Sequence, residues 1–124
     1  MPIVQIEALP QAPGVDVAQA LRTLCGQVAE LLGEEPSGTW ATWRTVEHYV
    51  EGSDGPATQP VSTHPPIVRV IAYEGRDRGR VAELLVRTAE VLAHELRLED
   101  GNVFVLYDEA QPGRLYTGGE VVGR

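Results

Sequence analysis

The segment Pro2-Ile3-Val4-Gln5-Ile6 recurs as Pro66-Ile67-Val68-Arg69-Val70, an offset of 64 residues in a chain of 124. A duplication of this size constrains the fold more than any other feature, because both copies must solve the same packing problem. Each copy continues into a turn zone, an amphipathic helix pattern and a second β-rich run, so the chain reads as two βαβ units in one domain spanning residues 1–124. The halves are 2–50 and 66–124, and a Gly, Ser, Asp, Thr and Pro-rich stretch, 51–65, links them without regular structure.

In the first half, Ile3 to Leu9 suits a strand, stopped by the prolines and glycine of 10–14. Asp16 is placed to cap a helix whose stripe is Val17, Leu21, Leu24, Val28 and Leu31, and Gly33 is placed to end it. Thr39 to Val50 reads as one long strand. In the second half, Ile67 to Tyr73 is a strand and Asp77 caps a helix with the stripe Val81, Leu84, Leu85, Thr88, Val91, Leu92 and Leu96. Val103 to Tyr107 is a continuous apolar run, expected to be covered on both faces. Leu115-Tyr116, Gly118-Gly119 and Val121-Val122 form a terminal hairpin pattern. The fold class is α/β in the α+β sense, a four-stranded mixed sheet with both helices on one face. The other sheet face then lacks a cover, which predicts oligomerisation.

Composition narrows the function. Net charge is −8 and all ten basic residues are arginine, so a nucleic-acid backbone finds no general basic surface. No apolar run approaches the roughly 20 residues of a membrane helix, and no secretory leader pattern opens the chain, so the expected compartment is the cytoplasm and no membrane partner is expected. The single cysteine, Cys25, fits a small buried hydrophobe beside the first stripe. His48, His64 and His94 show no ligand spacing and are read as surface or strand residues, so neither a metal nor another cofactor is expected.

Pro2 is the residue with chemical potential. Once the initiator methionine is removed, its nitrogen is a secondary amine, and reference α-amino groups titrate at roughly 7.7 to 8.0. An apolar pocket or nearby cations would lower that value toward neutrality, where a general base works best. Pro66 cannot act in this way, because its nitrogen is held in a peptide bond.

The two Pro-Ile-Val strands, the turn Glu74-Gly75-Arg76, and the late Gly113 with Gly118-Gly119-Glu120 together resemble the 4-oxalocrotonate tautomerase family. The likeness covers nearly the whole chain as two fused copies. It implies a homotrimer, with Pro2 as catalytic base and Arg76, ten positions after the second proline, gripping a substrate carboxylate across the two halves. The family's second arginine is matched by Phe104 in one half and approximately by Ala41 in the other. Arg44, Arg78 and Arg80 are the candidates to replace it, and a small monocarboxylate or enolised keto acid is the expected substrate. Leu115, with Tyr116 beside it, falls at the family's apolar wall, joined by Tyr107 and by Trp40 or Trp43. The implied reaction is enol–keto proton transfer without a cofactor. Two other readings stand beside it: hydration or dehalogenation of an unsaturated acid, with cationic Pro2 as proton donor and Glu109 or Glu120 activating water, and a non-catalytic trimeric binding protein.

Overall fold

In a computed structural model that describes residues 1–56 and 63–123, the chain forms two βαβ units. The first comprises β1 (Pro2–Ala8), α1 (Val17–Leu32) and β2 (Trp40–Thr45), with a single 3₁₀ turn at Pro36–Gly38. The second comprises β3 (Ile67–Tyr73), α2 (Arg78–Glu95) and β4 (Phe104–Ala110), followed by a hairpin of β5 (Tyr116–Thr117) and β6 (Glu120–Val121). The main sheet has the order β2-β1-β3-β4. Within each unit the strands are parallel, whereas β1 and β3 are antiparallel, Pro2 facing Ala72 and Glu7 facing Ile67. The beginning of the first copy is thereby set beside the end of the second copy's first strand.

Local sequence explains the helices. The Asp16 carboxylate accepts from the backbone N–H of Gln19 at 3.0 Å, and Gly33 closes α1 in the left-handed conformation, φ 68°. Asp77 caps α2 in the same way, accepting from Arg80 N–H at 2.9 Å. Leu24 and Val28 of α1, and Leu84, Thr88 and Leu92 of α2, are fully buried against Val4, Ile6, Val68 and Val70 on the sheet. The Thr88 hydroxyl avoids an unmet hydrogen bond by donating to the Leu84 carbonyl at 2.8 Å. Leu92→Ala removes most of a side chain from this close-packed layer, and an unfolding titration is expected to show a loss of about 2–5 kcal/mol.

Two strand expectations are corrected. The run from Thr39 to Val50 is a strand only over Trp40–Thr45. Its sole partner is β1, which ends at Ala8, and Val46 N–H makes the last bond to the Ala8 carbonyl at 2.9 Å before Pro10 ends the possibility of further pairing. The run beginning at Val103 is an edge strand covered on one face, leaving Phe104 54% and Leu106 36% exposed. With Ile67 and Trp40, these side chains form the bare sheet face.

The linking stretch is also more ordered than its composition implies. Residues 57–62 lie outside the described part, but the flanks form a clasp. His64, expected at the surface, is buried, with its Nε2 2.5 Å from Asp54 Oδ2 and its Nδ1 3.0 Å from Thr63 Oγ1. Tyr49 packs edge-on against the imidazole and donates its hydroxyl to the Pro65 carbonyl at 2.8 Å. Hydrogen bonds from His64 and the Glu51 backbone N–H hold the Asp54 carboxyl below the usual carboxylate range. A depressed carboxylate stabilises the fold above its unfolded pKa of about 3.9, and the contribution is lost as pH falls through its folded value. The stability difference between wild type and Asp54→Asn is therefore expected to be constant above about pH 5 and to shrink toward zero in stronger acid, as read by denaturant titrations at each pH.

Candidate functional site

The register across the sheet brings the chemistry to one end. On the helix-covered face, Pro2, Ala72 and Glu109 stand in one row, and Val4, Val70 and Tyr107 stand in the next. Thr39 precedes Trp40, the partner of Ile3, and so stands level with Pro2 on the other side. Pro2 is fully buried, and Thr39 is 4% exposed with a hydroxyl oxygen that has no hydrogen-bond partner among the described residues. Such an oxygen is a ready acceptor for a charged N–H nearby.

Arg76 reaches the same end from the loop after β3. Its Nη1 donates to the Tyr73 carbonyl at 3.4 Å, and its Nη2 lies 3.5 Å from Glu34 Oε2. The other oxygen of Glu34 is 3.7 Å from the N-terminal nitrogen of Met1. One carboxylate thus joins the chain's amino end to the guanidinium of the second copy within a single protomer.

Beside this link, Arg76, Arg78, Val81, Leu85, Tyr107 and Glu109 line a concavity of about 360 Å³. Two cations and one carboxylate are set there against an apolar wall. The Tyr107 hydroxyl is buried and has no partner among the described residues, an unmet donor at the base of the wall. This surface can seat a small anion with an apolar body.

Other sequence candidates fall elsewhere. Arg80 donates to the Leu31 carbonyl at 3.0 Å and pairs with Glu83 at 3.0 Å, tying α2 to the end of α1 and leaving the concavity to its neighbours. A cation beside the last carbonyls of a helix is favourable, which accounts for its position. Arg44 stands on the opposite sheet face, 77% exposed, paired with Glu7 at 3.3 Å. Leu115 and the exposed Tyr116 belong to the hairpin, whose Gly118 and Gly119 both take positive φ, 63° and 88°, as a tight two-residue turn requires. Glu120 is exposed on the same hairpin. Trp40 lies on the bare face and Trp43 on the helix-covered face, as their parity dictates. Burial pushes the Cys25 thiol up, so it stays protonated and is a poor nucleophile.

Glu34 is the site residue that sequence reasoning passed over. Its signal was legible: acidic residues directly after a helix C-terminus oppose the helix dipole, the mirror image of the arginines clustered at the start of α2. Glu51, Asp54 and His64 offer ligand atoms within 4.8 Å of one another. The imidazole turns Nε2 to Asp54 and the opposite nitrogen, Nδ1, to Glu51 at 3.9 Å. The ring therefore lies between the carboxylates as a bridge, an arrangement suited to a structural clasp.

No protein-family model matches the chain, and no curated protein sequence does. Solved structures do match, across 97% of this chain. Pt0534, solved after inactivation by 2-oxo-3-pentynoate, is 15% identical over 94% of its own length with a TM-score of 0.81. The Q0 fused 4-OT, a symmetric trimer, is 14% identical over 94% of its length with a TM-score of 0.76. N1, a member of the cis-3-chloroacrylic acid dehalogenase family, is 13% identical over 82% of its length with a TM-score of 0.75. The chain shares its fold with these structures, as the repeat and its resemblance predict.

Proposed function

We propose that the protein is a cofactor-independent tautomerase acting on a small monocarboxylate enol, with Pro2 as general base after removal of Met1 and Arg76 as carboxylate anchor. The observation that supports this reading is the link from the Met1 nitrogen through Glu34 to Arg76, which brings the guanidinium to the end of the sheet where Pro2 opens β1. The neutral amine takes the proton of the enol hydroxyl as the carbonyl forms, and the resulting ammonium returns a proton to the neighbouring carbon. Arg76 presents a planar fork of donors to the carboxylate and favours charge on the adjacent oxygen. Val81, Leu85 and Tyr107 exclude water along one side, and Arg78 adds positive potential at the rim.

A homotrimer belongs to the same reading. The exposed Trp40, Ile67, Phe104 and Leu106 need a cover, and a fused 4-OT of this fold is a symmetric trimer. In such an assembly Arg44, Leu115 and Tyr116 are free to approach a neighbouring copy's site.

Proton addition by a cationic Pro2, with water activated by Glu109, is the second reading. It is favoured by Glu34, whose carboxylate lies 3.7 Å from the Met1 nitrogen at the chain end next to Pro2, and by the likeness to a dehalogenase-family chain. Ketonisation of phenylenolpyruvate across a pH series separates the two. The base mechanism loses rate as Pro2 protonates in acid, whereas hydration of an unsaturated acid loses rate as Pro2 deprotonates in alkali.

A further inference from the structure

The offset of 64 residues that relates the two Pro-Ile-Val strands also relates the ends of the two helices. Glu34 N–H donates to the Ala29 carbonyl at 2.9 Å, and Leu98 N–H donates to the Ala93 carbonyl at 2.8 Å. In each copy the residue before that donor turns into the left-handed region, Gly33 at φ 68° and Arg97 at φ 60°. This conformation favours glycine, and Arg97 is the only non-glycine residue to adopt it among the described residues. The dipole of α2 favours a cation anywhere in its last turn and gives no reason to place an arginine at the cap itself. A backbone outlier of this kind points to function.

The two poles of the sheet differ by three exchanges. The pole of Pro2 has Arg76, Gly33 and Glu34; the opposite pole, where β3 begins, has Ala12, Arg97 and Leu98 at the equivalent positions. The arginine has moved from the loop to the helix end, and the carboxylate that pairs with Arg76 has become a leucine. Arg97 donates Nη2 to the Gly14 carbonyl at 3.4 Å, and a Cβ on Gly14 would stand 3.3 Å from Nη1, so this glycine makes room for the guanidinium. Among the described residues Arg97 forms no ion pair. Ala12, Leu96, Arg97, Leu98, Glu99 and Asn102 line a cleft of about 580 Å³, larger than the concavity beside Arg76. We propose that this cleft is a second ligand site, for a small α-hydroxy or enol acid with an apolar body. Arg97 binds the carboxylate, Glu99 accepts from the hydroxyl, and Leu96 and Leu98 hold the apolar part. The Pro66 nitrogen at this pole is held in an amide, so the site binds its ligand without transforming it. The assignment does not depend on Pro2 acting as a base.

The test titrates the full ¹⁵N-labelled chain with phenyllactate and follows backbone amide shifts. Saturable shifts are expected at Ala12, Leu98 and Asn102, with affinity about tenfold or more weaker in Arg97→Gly as one charge-assisted pair is lost. Phenylpropionate, which lacks the hydroxyl, is expected to bind wild type more weakly than phenyllactate, and Glu99→Ala to bind the two alike. Arg97→Gly installs the residue that the first copy uses, so its thermal midpoint is expected to hold or rise, whereas a merely structural arginine would lower it on removal. Absent shifts at these amides, or undiminished affinity in Arg97→Gly, overturns the proposal; should that variant fail to fold, undiminished affinity in Arg97→Gln overturns it. Loss of the shifts in Arg76→Gln overturns it as well, by tracing them to the other pole. Turnover in Pro2→Ala is a separate readout, so either reading can fail alone.

Discussion

Pro2→Ala is expected to lower the rate of phenylenolpyruvate ketonisation by about 10²-fold or more, the usual contribution of a positioned general base, with the fold intact. The alanine variant still ends in an amine after methionine removal, but a primary one with a free rotor in place of a ring packed fully into the end of β1. The loss thus reports both basicity and aim. A reactive carboxylate such as 2-oxo-3-pentynoate, with which Pt0534 was inactivated, provides an independent readout. Its adduct should map by peptide mass to Pro2 in the wild type, and Arg76→Ala should slow its formation. Equal turnover in wild type and Pro2→Ala would leave a trimeric binding protein as the better description.

The second large effect concerns assembly. Phe104 and Leu106 are neighbours two residues apart on the bare face of β4, and the register places Ile67 level with Phe104. Placing a charge at Leu106, as Leu106→Asp does, asks an interface to bury a further carboxylate beside Arg69, whose guanidinium is already engaged by Asp108, and burying a charge without its own partner costs several kcal/mol. Sedimentation is expected to find wild type at three times 13.5 kDa and Leu106→Asp at or near the single-chain mass. Leu106 stands on the bare face of β4, on the opposite side of the sheet from the helices, so the variant's circular dichroism should remain native. A wild-type chain that sediments as a monomer would remove the trimer from the proposal.

Much of this architecture is legible in the residues. The Pro-Ile-Val repeat fixes two βαβ units, and the stripe from Leu84 to Leu92 with Asp77 before it fixes α2, because both signals are local and periodic. The end of β2 is not local. It is dictated by where Ala8 and Pro10 stop the partner strand, so the β-prone residues after Thr45 go unpaired. Exposure of β4 follows from its edge position, which strand order decides and apolar composition does not. His64 is buried by Tyr49 and Asp54, contacts made across a Pro/Gly-rich stretch whose composition suggests a loose tether. At the site, sequence offered Arg44, Arg78 and Arg80 alike; Arg78 lines one concavity with Arg76 and Tyr107, whereas the diversion of Arg80 to the end of α1 and of Arg44 to the far sheet face depends on register and on unmet helix carbonyls. Glu34 carries a local signal, an acidic pair set against the carbonyl end of α1, but which cations it meets emerges only from the tertiary fold.

The antiparallel meeting of β1 and β3 places the two duplicated prolines at opposite poles of the sheet, Pro2 beside Ala72 and Pro66 just before the residue that faces Glu7. Fusion therefore creates a division of labour that two identical chains could not have. On the proposed reading one pole holds the reactive amine; at the other, Pro66 stays within a tertiary amide, and the adjoining Pro65 carbonyl and His64 fasten the crossover to Tyr49 and Asp54.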